Sequence, residues 1–321
     1  MNRSDVHPDV VATAEAIATM DIRGAATIAD AAAGALATQA RESDADSADE
    51  LRSELQKAAR VLYETRPTAV SLPNALRFVM ADVSGDDVDT LRESTVASAE
   101  SFQRDLDQAQ ERLGEVGANR LRDGDTVMTH CHSTDALSCV RAALDQGKHI
   151  EAIVKETRPR NQGHITAEQL REWDVPVTLI VDSAARRYLN DVDHVLVGAD
   201  SIAADGSVIN KIGTAGLAVD ARDRGTPVMV AAQTIKLHPD TLTGHTVEIE
   251  MRDESEVISA DEREAIQGDP AGFTVENPAF DVTPARYIDA IVTERGQFPA
   301  ESVVVLMREL FGSETSRPWE S

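Results

Sequence analysis

The segment MTHCHSTDALSCV, residues 128–140, places Cys131 between His130 and His132, with Cys139 eight residues later. Such residues serve metal binding, disulfide formation, nucleophilic attack or acid/base catalysis by a thiol. The two histidines alternate along an extended run and could share a face, but no second Cys/His cluster completes a set of ligands, so no metal site is expected. Two cysteines in 321 residues argue against a disulfide framework.

Cys131 is expected to lie beside the N-terminus of a helix, because Ser133 is a suitable N-cap. The helix dipole there would favour a thiolate, and so a lowered pKa of Cys131, or would bind a phosphate. The alternative is a small cysteine packed in a strand–helix turn, and the local sequence does not separate the two. Cys139 falls inside the predicted helix and is expected in the core.

The elements around this segment predict an α/β fold. Short runs rich in Val and Ile predict strands at 126–130, 150–156, 176–182, 193–200 and 227–232, and helices are predicted between them at 133–145, 166–172, 183–189 and 213–224. Strands that alternate with helices indicate βαβ units, hence a Rossmann-like, doubly wound parallel sheet that binds ligands at the carboxyl ends of its strands. Before it, Ala-rich segments with helical spacing predict an N-terminal helical domain. The predicted domains are 1–118 and 119–321.

Polar residues follow several of these strands. ETRPRNQG (156–163) brings Arg158 and Arg160 into one loop that suits an anion, although a solvated loop is the alternative. Asp200 ends the fourth run, where partial desolvation would raise its pKa, and an Asx turn is the alternative. Lys211 and Lys236, two of only five lysines, each follow a predicted strand. They favour a positive pocket on an otherwise negative protein.

Composition excludes several classes of function. The chain carries 56 acidic and 31 basic residues, a net charge of −25, and 42% hydrophobic residues. This indicates a folded protein with the solvated acidic surface typical of halophilic proteins, and nucleic acid is not an expected partner. No apolar run suits a membrane span or a signal peptide, so a cytoplasmic location is expected. No Gly-x-Gly-x-x-Gly, P-loop or nucleophile elbow is present, and no cofactor is expected.

Seven motifs in order carry a resemblance to a known family. They are IRGAATIADAAA, TRPTAVSLPNALRFV, THCHS, ETRPRNQG, GADS, NKIGTAGLA and ENPAFDVTPARYIDAIVTERG. Together they resemble the regulatory subunits of eukaryotic translation initiation factor 2B and the related sugar-phosphate isomerases, over about residues 21–296. Within this family the chain is most similar to the archaeal isomerases of ribose 1,5-bisphosphate. SLPNAL and Ser201 separate it from the methylthioribose-1-phosphate isomerases, which carry a more aromatic segment and an arginine at these positions.

The resemblance implies an activity and a set of site residues. The activity is isomerisation of α-D-ribose 1,5-bisphosphate to ribulose 1,5-bisphosphate, in AMP degradation upstream of Rubisco. Cys131 aligns with the proton-accepting cysteine and Asp200 with the proton-donating aspartate. The aligned substrate-binding positions are Arg23, Gly24, Ala25, Ala26, Arg66, Ser133, Thr134, Asp135, Asn210, Lys211 and Lys236, with Arg158 and Gln162 as weaker additions.

Two other functions remain open at this point. One is isomerisation of methylthioribose 1-phosphate or another sugar 1-phosphate, and the other is a non-catalytic role like that of the initiation-factor subunits. Those subunits generally lack the matching cysteine and aspartate, which this chain has. The resemblance also implies a homo-oligomer, either a dimer or a hexamer, and AMP is an expected activator.

Overall fold

The computed structural model describes residues 6–66, 69–81, 83–266, 272–312 and 317–319. Within these ranges the helices are α1 (Pro8–Ala18), α2 (Ala25–Glu42), α3 (Ala48–Thr65), α4 (Ser71–Ala81), α5 (Val88–Ala118), α6 (Thr134–Asp145), α7 (Gln162–Glu172), α8 (Ala185–Tyr188), α9 (Thr214–Arg224), α10 (Ala260–Ala265) and α11 (Val303–Phe311). The strands are β1 (Thr126–Thr129), β2 (Glu151–Lys155), β3 (Val177–Ile180), β4 (His194–Val197), β5 (Ser201–Ala203), β6 (Val208–Lys211), β7 (Val228–Ala231), β8 (Leu237–His238), β9 (Phe280–Thr283), β10 (Ala290–Thr293) and β11 (Gly296–Phe298).

The chain forms two compact units. The first comprises Met1–Gln110, Thr234–His238 and Arg308–Ser321, and the second comprises Glu111–Gln233 and Pro239–Met307. The division falls inside α5, and it assigns two later segments of the chain to the first unit. The predicted domain boundary between residues 118 and 119 stays a prediction.

The first unit is helical, as the Ala-rich sequence predicts. In α3 the side chains of Leu51, Leu55 and Leu62 recur at helical spacing and are at most 2% exposed, so they form the face that packs on the core. Ser47 starts this helix, since its hydroxyl accepts a hydrogen bond from the backbone N–H of Glu50 at 3.2 Å. The apolar spacing and the cap together fix where α3 begins and which side it buries.

The segment Thr234–His238 is tied to this helical unit by a buried amide. The side chain of Asn74, in α4, donates hydrogen bonds to the backbone carbonyls of Ile235 at 2.8 Å and Leu237 at 2.7 Å. Both bonds are shielded from water, because Asn74 is fully buried. They fix the backbone on either side of Lys236.

The second unit contains a seven-stranded sheet of order β11-β10-β7-β4-β1-β2-β3. The six strands from β10 to β3 are parallel, and β11 is antiparallel to β10. From β1 the chain proceeds to β2 and β3 on one side, and then from β4 to β7 and β10 on the other. This confirms the predicted Rossmann-like, doubly wound sheet. The topological switch point lies between β1 and β4.

A smaller antiparallel arrangement follows β4. The strands β5, β6 and β9 pair antiparallel, with Ser201 opposite Ile209 and Asn210 opposite Asp281. The sequence pattern did not predict these strands or β10 and β11, because they have three or four residues and β6 pairs with a strand about 70 residues further along the chain. The hairpin of β5 and β6 returns the chain to Asp200, three residues beyond the end of β4.

The five predicted strands are all present; the first begins at Thr126 as predicted, and every other end lies one to three residues inside the predicted one. The helix predicted at 166–172 begins at Gln162, and the one predicted at 183–189 is the four-residue α8 between 3-10 turns. The interiors of β1, β2, β4, β7 and β10 are continuously apolar because helices cover both faces of such a sheet, whereas the edge strand β3 exposes Thr178 and Leu179. None of the helices in the described ranges combines the length and low charge needed to cross a membrane.

Gly163 provides a test of how α7 packs on the sheet. A β-carbon there would overlap the backbone carbonyl of Lys155 at the end of β2, so Gly163→Ala is expected to lower the free energy of unfolding by about 2 kcal/mol. Gly216→Ala in α9 is the matched control, because nothing lies within 4 Å of its β-carbon position, and it should raise stability by up to about 1 kcal/mol. Denaturant titration in high salt measures both, and equal changes in the two variants would contradict the packing described.

Candidate active site

Cys131 lies two residues beyond the end of β1, in the loop that leads into α6. Its backbone has a φ of +69°, in the left-handed region, and the residue is 8% exposed. The hydroxyl of Ser133 accepts a hydrogen bond from the backbone N–H of Ala136 at 3.2 Å, which confirms the predicted N-cap. Cys131 is therefore held just before the N-terminus of α6.

Asp200 follows β4, the neighbour of β1 across the switch point. The two loops approach closely, because Gly198 packs against the side chain of Ser133 and a β-carbon at Gly198 would overlap its hydroxyl. The backbone N–H of Asp200 donates to the carbonyl of Ile209 at 2.9 Å. This bond continues the β5–β6 hairpin and puts Asp200 beside the end of β6, where Lys211 lies.

Burial raises the pKa of the Cys131 thiol to about 11, which contradicts the lowered pKa expected at a helix terminus. The Lys211 ammonium and the backbone N–H of His132 act to lower this pKa, and the carboxylates of Asp200 and Asp182 raise it further. Loss of hydration outweighs the favourable contacts, so the thiol is neutral at pH 7. The effect of Asp200 also shows that its carboxylate interacts electrostatically with the thiol.

The side chain of Asp200 is exposed, and the raised pKa expected for this carboxylate stays a prediction. Any desolvation of this carboxylate must come from a group that covers the crevice.

Asn210 and Lys211, at the end of β6, differ in exposure. Asn210 is 6% exposed, and its side-chain amide donates to the hydroxyl of Thr214 at 3.0 Å, at the start of α9. The Lys211 ammonium is partly exposed and lies 4.8 Å from the centre of the Phe280 ring, in a cation–π contact. Lys211 therefore presents a positive charge on the same side as the thiol.

A pocket of about 260 Å³, open to solvent, lies beside Lys211 within the second unit. Its charged and amide-bearing side chains are Arg158, Arg160, Gln162, Lys211, Arg252, Glu256 and Asn277. Arg160 is paired with Glu256, at 2.9 Å between Nε and Oε2. The structure thus brings Arg158 and Gln162 together with Lys211. Four cationic side chains against one carboxylate favour an anionic ligand.

The predicted binding residues at the start of α6 have different surroundings. Thr134 is exposed, Ser133 is partly buried, and Asp135 is 1% exposed. The Asp135 carboxylate accepts hydrogen bonds from the Gln233 side chain at 2.9 Å and the Gln233 backbone at 3.2 Å. Asp135 thereby ties α6 to the loop after β7. That these three residues bind substrate stays a prediction.

The other predicted binding residues belong to the first unit. α2 begins at Ala25, and Ala26 lies in its first turn. Gly24, the residue before the helix, has a φ of +91° and has no side chain that could cap the backbone N–H groups of this turn. With the exposed Arg23 beside it, this helix start suits an anion. Arg66 follows the last residue of α3, and Lys236 lies in a 3-10 turn. Their roles in substrate binding stay predictions.

Asp182 and Thr157 are site residues to which the sequence pattern assigns no role. The Asp182 carboxylate, after β3, accepts hydrogen bonds from the backbone N–H groups of Thr157 at 3.0 Å and Arg158 at 2.7 Å. It fixes the loop after β2. The position of Asp182 at the end of the third predicted strand could have identified it as a site residue, whereas nothing in the sequence distinguishes Thr157.

Cys139 is fully buried in the core and both cysteines are free. Within the described ranges, no three His, Cys, Asp or Glu side chains converge as metal ligands.

The chain is similar to known proteins over nearly its whole length. A family model described as "Initiation factor 2 subunit family" matches residues 21–300. A ribose 1,5-bisphosphate isomerase of Haloterrigena turkmenica is 72% identical over 320 residues, which cover 98% of each chain. One of Haloferax volcanii is 72% identical over 314 residues, or 98% of this chain and 96% of the other. The crystal structure of 5-methylthioribose 1-phosphate isomerase from Pyrococcus horikoshii OT3 matches with a TM-score of 0.76 and 34% identity, over 95% of this chain and 88% of the other.

The charges around the thiol predict how its pKa responds to substitution. Asp200→Asn removes a charge that raises the pKa of Cys131, so alkylation of the thiol should reach half its maximal rate at a lower pH than in the wild type. Lys211→Met removes a charge that lowers the pKa and should move that midpoint to higher pH.

Iodoacetamide alkylation against pH, in a Cys139→Ser background, measures these shifts. Arg141→Met is the control, because Arg141 is exposed and forms an ion pair with Asp145 on α6. Shifts of the same sign in the Asp200 and Lys211 variants would contradict the electrostatic assignment.

Proposed function

The chain belongs to the initiation factor 2 subunit family, and we propose that it is an isomerase that converts α-D-ribose 1,5-bisphosphate to D-ribulose 1,5-bisphosphate. The observation that carries this function is the 72% identity, over 98% of the chain, with proteins named ribose 1,5-bisphosphate isomerase. An acid/base pair, Cys131 and Asp200, at the switch point of the sheet agrees with that chemistry.

The alternatives are less well supported. The methylthioribose 1-phosphate isomerase of known structure is 34% identical to this chain, less than half the 72% identity of the Haloterrigena and Haloferax bisphosphate isomerases. A non-catalytic role does not require a thiol and a carboxylate that interact electrostatically across the crevice. Both residues are present and they interact, which favours catalysis.

The reaction needs a base at C2 and an acid at the ring oxygen. The base removes the C2 proton, the electron pair forms a C1=C2 double bond as the bond between C1 and the ring oxygen breaks, and the acid protonates that oxygen. The enol then loses the proton of its C2 hydroxyl and gains one at C1, which gives the ketone with the C1 phosphate retained. Cys131 suits the transfers at carbon and Asp200 those at oxygen, and both groups end in their starting states.

The neutral Cys131 thiol and the Asp200 carboxylate hold one proton between them, and this is the number of protons that the acid/base pair needs. Transfer of the Cys131 proton to Asp200 produces a thiolate base and a carboxylic acid, the two forms that the first step uses. Burial holds the pKa of the thiol at about 11, so this exchange costs free energy in the free protein, and neutralisation of Asp200 removes only a contribution smaller than that of burial. A bound substrate that covers the exposed Asp200 would favour the protonated carboxyl.

Substrate binding must overcome the charge of the protein. Two phosphates carry about four negative charges, whereas the chain has a net charge of −25. Lys211 and the arginine-lined pocket beside it supply positive charge in the second unit. Arg23, Arg66 and Lys236 are the cationic candidates of the first unit. High salt would screen long-range repulsion, since the Debye length is about 3 Å at 1 M.

The wider biological setting belongs to the same proposal. AMP degradation, activation by AMP, assembly as a dimer or hexamer and a cytoplasmic location are what the resemblance implies. The acidic composition and the Haloterrigena and Haloferax relatives support function at high salt. Turnover in molar salt with and without AMP, and the molecular mass in solution, test these parts.

Loss of either acid/base group should abolish turnover. Cys131→Ser and Asp200→Asn are each expected to reduce kcat by about 10²–10⁴-fold, with little change in stability. Cys139→Ser is the matched control, because Cys139 is fully buried in the core, where its sulfur lies near the backbone carbonyls of Leu113 and Asp135. The assay follows ribulose 1,5-bisphosphate formation, with methylthioribose 1-phosphate as the competing substrate. Near wild-type turnover in either variant would refute the assignment, and faster turnover of methylthioribose 1-phosphate would favour that alternative.

Arg66 should act in binding and not in proton transfer. Arg66→Ala is expected to raise KM by about tenfold or more with a smaller change in kcat, because a charge-assisted bond to phosphate is lost. Arg41→Ala is the control in the same unit, since Arg41 forms an exposed ion pair with Glu100. An unchanged KM in the Arg66 variant would remove this residue from the site.

A further inference from the structure

Two non-glycine residues beside the site have strained backbones. Cys131 has a φ of +69° and Thr157 a φ of +64°. The left-handed region is unfavourable for any residue with a β-carbon and most of all for a β-branched one such as threonine. Such conformations persist only where the surroundings enforce them, and they concentrate at functional sites. At Cys131, hydrogen bonds to the backbone N–H and carbonyl enforce the left-handed conformation.

Two threonine hydroxyls hold both backbone polar groups of Cys131. Its N–H donates to Oγ1 of Thr157 at 2.8 Å, and its carbonyl accepts from Oγ1 of Thr166 at 2.9 Å. Thr157 follows β2 and Thr166 lies in α7, and each is 1% exposed. The peptide groups on either side of the Cys131 α-carbon are therefore fixed by two different elements.

Each threonine is in turn bonded to one of the histidines that flank Cys131. Oγ1 of Thr157 lies 3.2 Å from Nδ1 of His130, and Oγ1 of Thr166 lies 3.1 Å from Nδ1 of His132. Each histidine is therefore linked to the Cys131 backbone through one threonine, His130 through Thr157 and His132 through Thr166.

The directions of these bonds follow from the groups that can only accept. Nε2 of His130 lies 2.8 Å from the Ile212 carbonyl and must donate to it, so Nδ1 of the neutral ring can only accept. The Thr157 hydroxyl lies 3.2 Å from this Nδ1 and 3.1 Å from the Lys155 carbonyl, so the two acceptors share its one proton. The Thr166 hydroxyl donates to the Cys131 carbonyl, so it accepts from Nδ1–H of His132. Burial and the nearby Lys155 lower the pKa of His130 to about 4, which keeps its ring neutral at working pH.

We infer that His130, Thr157, Thr166 and His132 form a clamp that positions the Cys131 thiol for proton transfer. The four are positioning residues, because their described hydrogen bonds are with the protein backbone and with one another; Nδ1 of His130 also lies 3.8 Å from the Asp182 carboxylate. Asp182 supports the same arrangement through the Thr157 backbone N–H, at 3.0 Å. The inference rests on the proposed catalytic role of Cys131. A thiol displaced by about 1 Å loses on the order of 100-fold in rate, so the clamp is expected to act on kcat.

Substitution at Thr157 is the first test. Thr157→Val keeps the shape but removes the hydroxyl that binds Cys131 and is expected to lower kcat by about 10–100-fold with KM changed less than about threefold. Thr157→Ser restores the hydroxyl and should restore most of kcat. Thr226→Val is the matched control: Thr226 is 6% exposed, and its hydroxyl donates to the Leu189 carbonyl at 3.0 Å. It should lose comparable stability with unchanged kcat.

Two substitutions at His130 separate positioning from packing. His130→Asn places an acceptor where Nδ1 stands, next to Thr157, whereas His130→Gln places a donor where Nε2 stands, next to the Ile212 carbonyl. The clamp predicts that the Asn variant retains more kcat than the Gln variant. Packing alone predicts the reverse, because glutamine fills more of the histidine volume, and that order would overturn the inference.

The rate of Cys131 alkylation against pH, in the Cys139→Ser background, gives a readout independent of turnover. A changed rate or midpoint in Thr157→Val, restored in Thr157→Ser, supports the clamp. If alkylation changes while turnover does not, the clamp stands and the catalytic role of Cys131 fails. If Thr157→Val is folded and neither alkylation nor kcat changes, the clamp is refuted.

Discussion

The order of the central strands is the constraint on which the site depends. Because β1 and β4 are neighbours and the chain leaves them toward opposite sides of the sheet, the loops after them leave a crevice at their carboxyl ends. Cys131 is in one of these loops and Asp200 is close to the other. The contact of Gly198 with Ser133 and the β5–β6 hairpin then set how closely the two loops approach.

Burial decides the chemistry of the thiol. A helix terminus and one lysine act to lower its pKa, yet removal from water is the larger effect and the pKa rises to about 11. A thiol that stays neutral is protected from adventitious reaction in the free protein. In the proposed mechanism, Asp200 receives the proton that the thiol must lose to become a base.

The position of the thiol depends on several elements at once. The loops after β1 and β2, together with α7, contribute hydrogen bonds to the backbone around Cys131, and Asp182 after β3 fixes the β2 loop. Rigid strands make such precision possible, since each loop begins at a fixed point in the sheet. The strained backbones of Cys131 and Thr157 are the local cost of this arrangement.

The sequence by itself determined the doubly wound sheet, the helical first unit, the Ser133 cap and the positions of Cys131 and Asp200 at strand ends, because hydrophobic period and capping residues are local signals. Only the tertiary structure decided the pKa direction of the thiol, the exposure of Asp200 and the partners of His130 and His132. The short strands β5, β6 and β9 also escaped the sequence pattern, since β6 and β9 pair across a long separation. Burial and hydrogen bonding depend on residues far apart in the chain, and no local spacing encodes which of them meet.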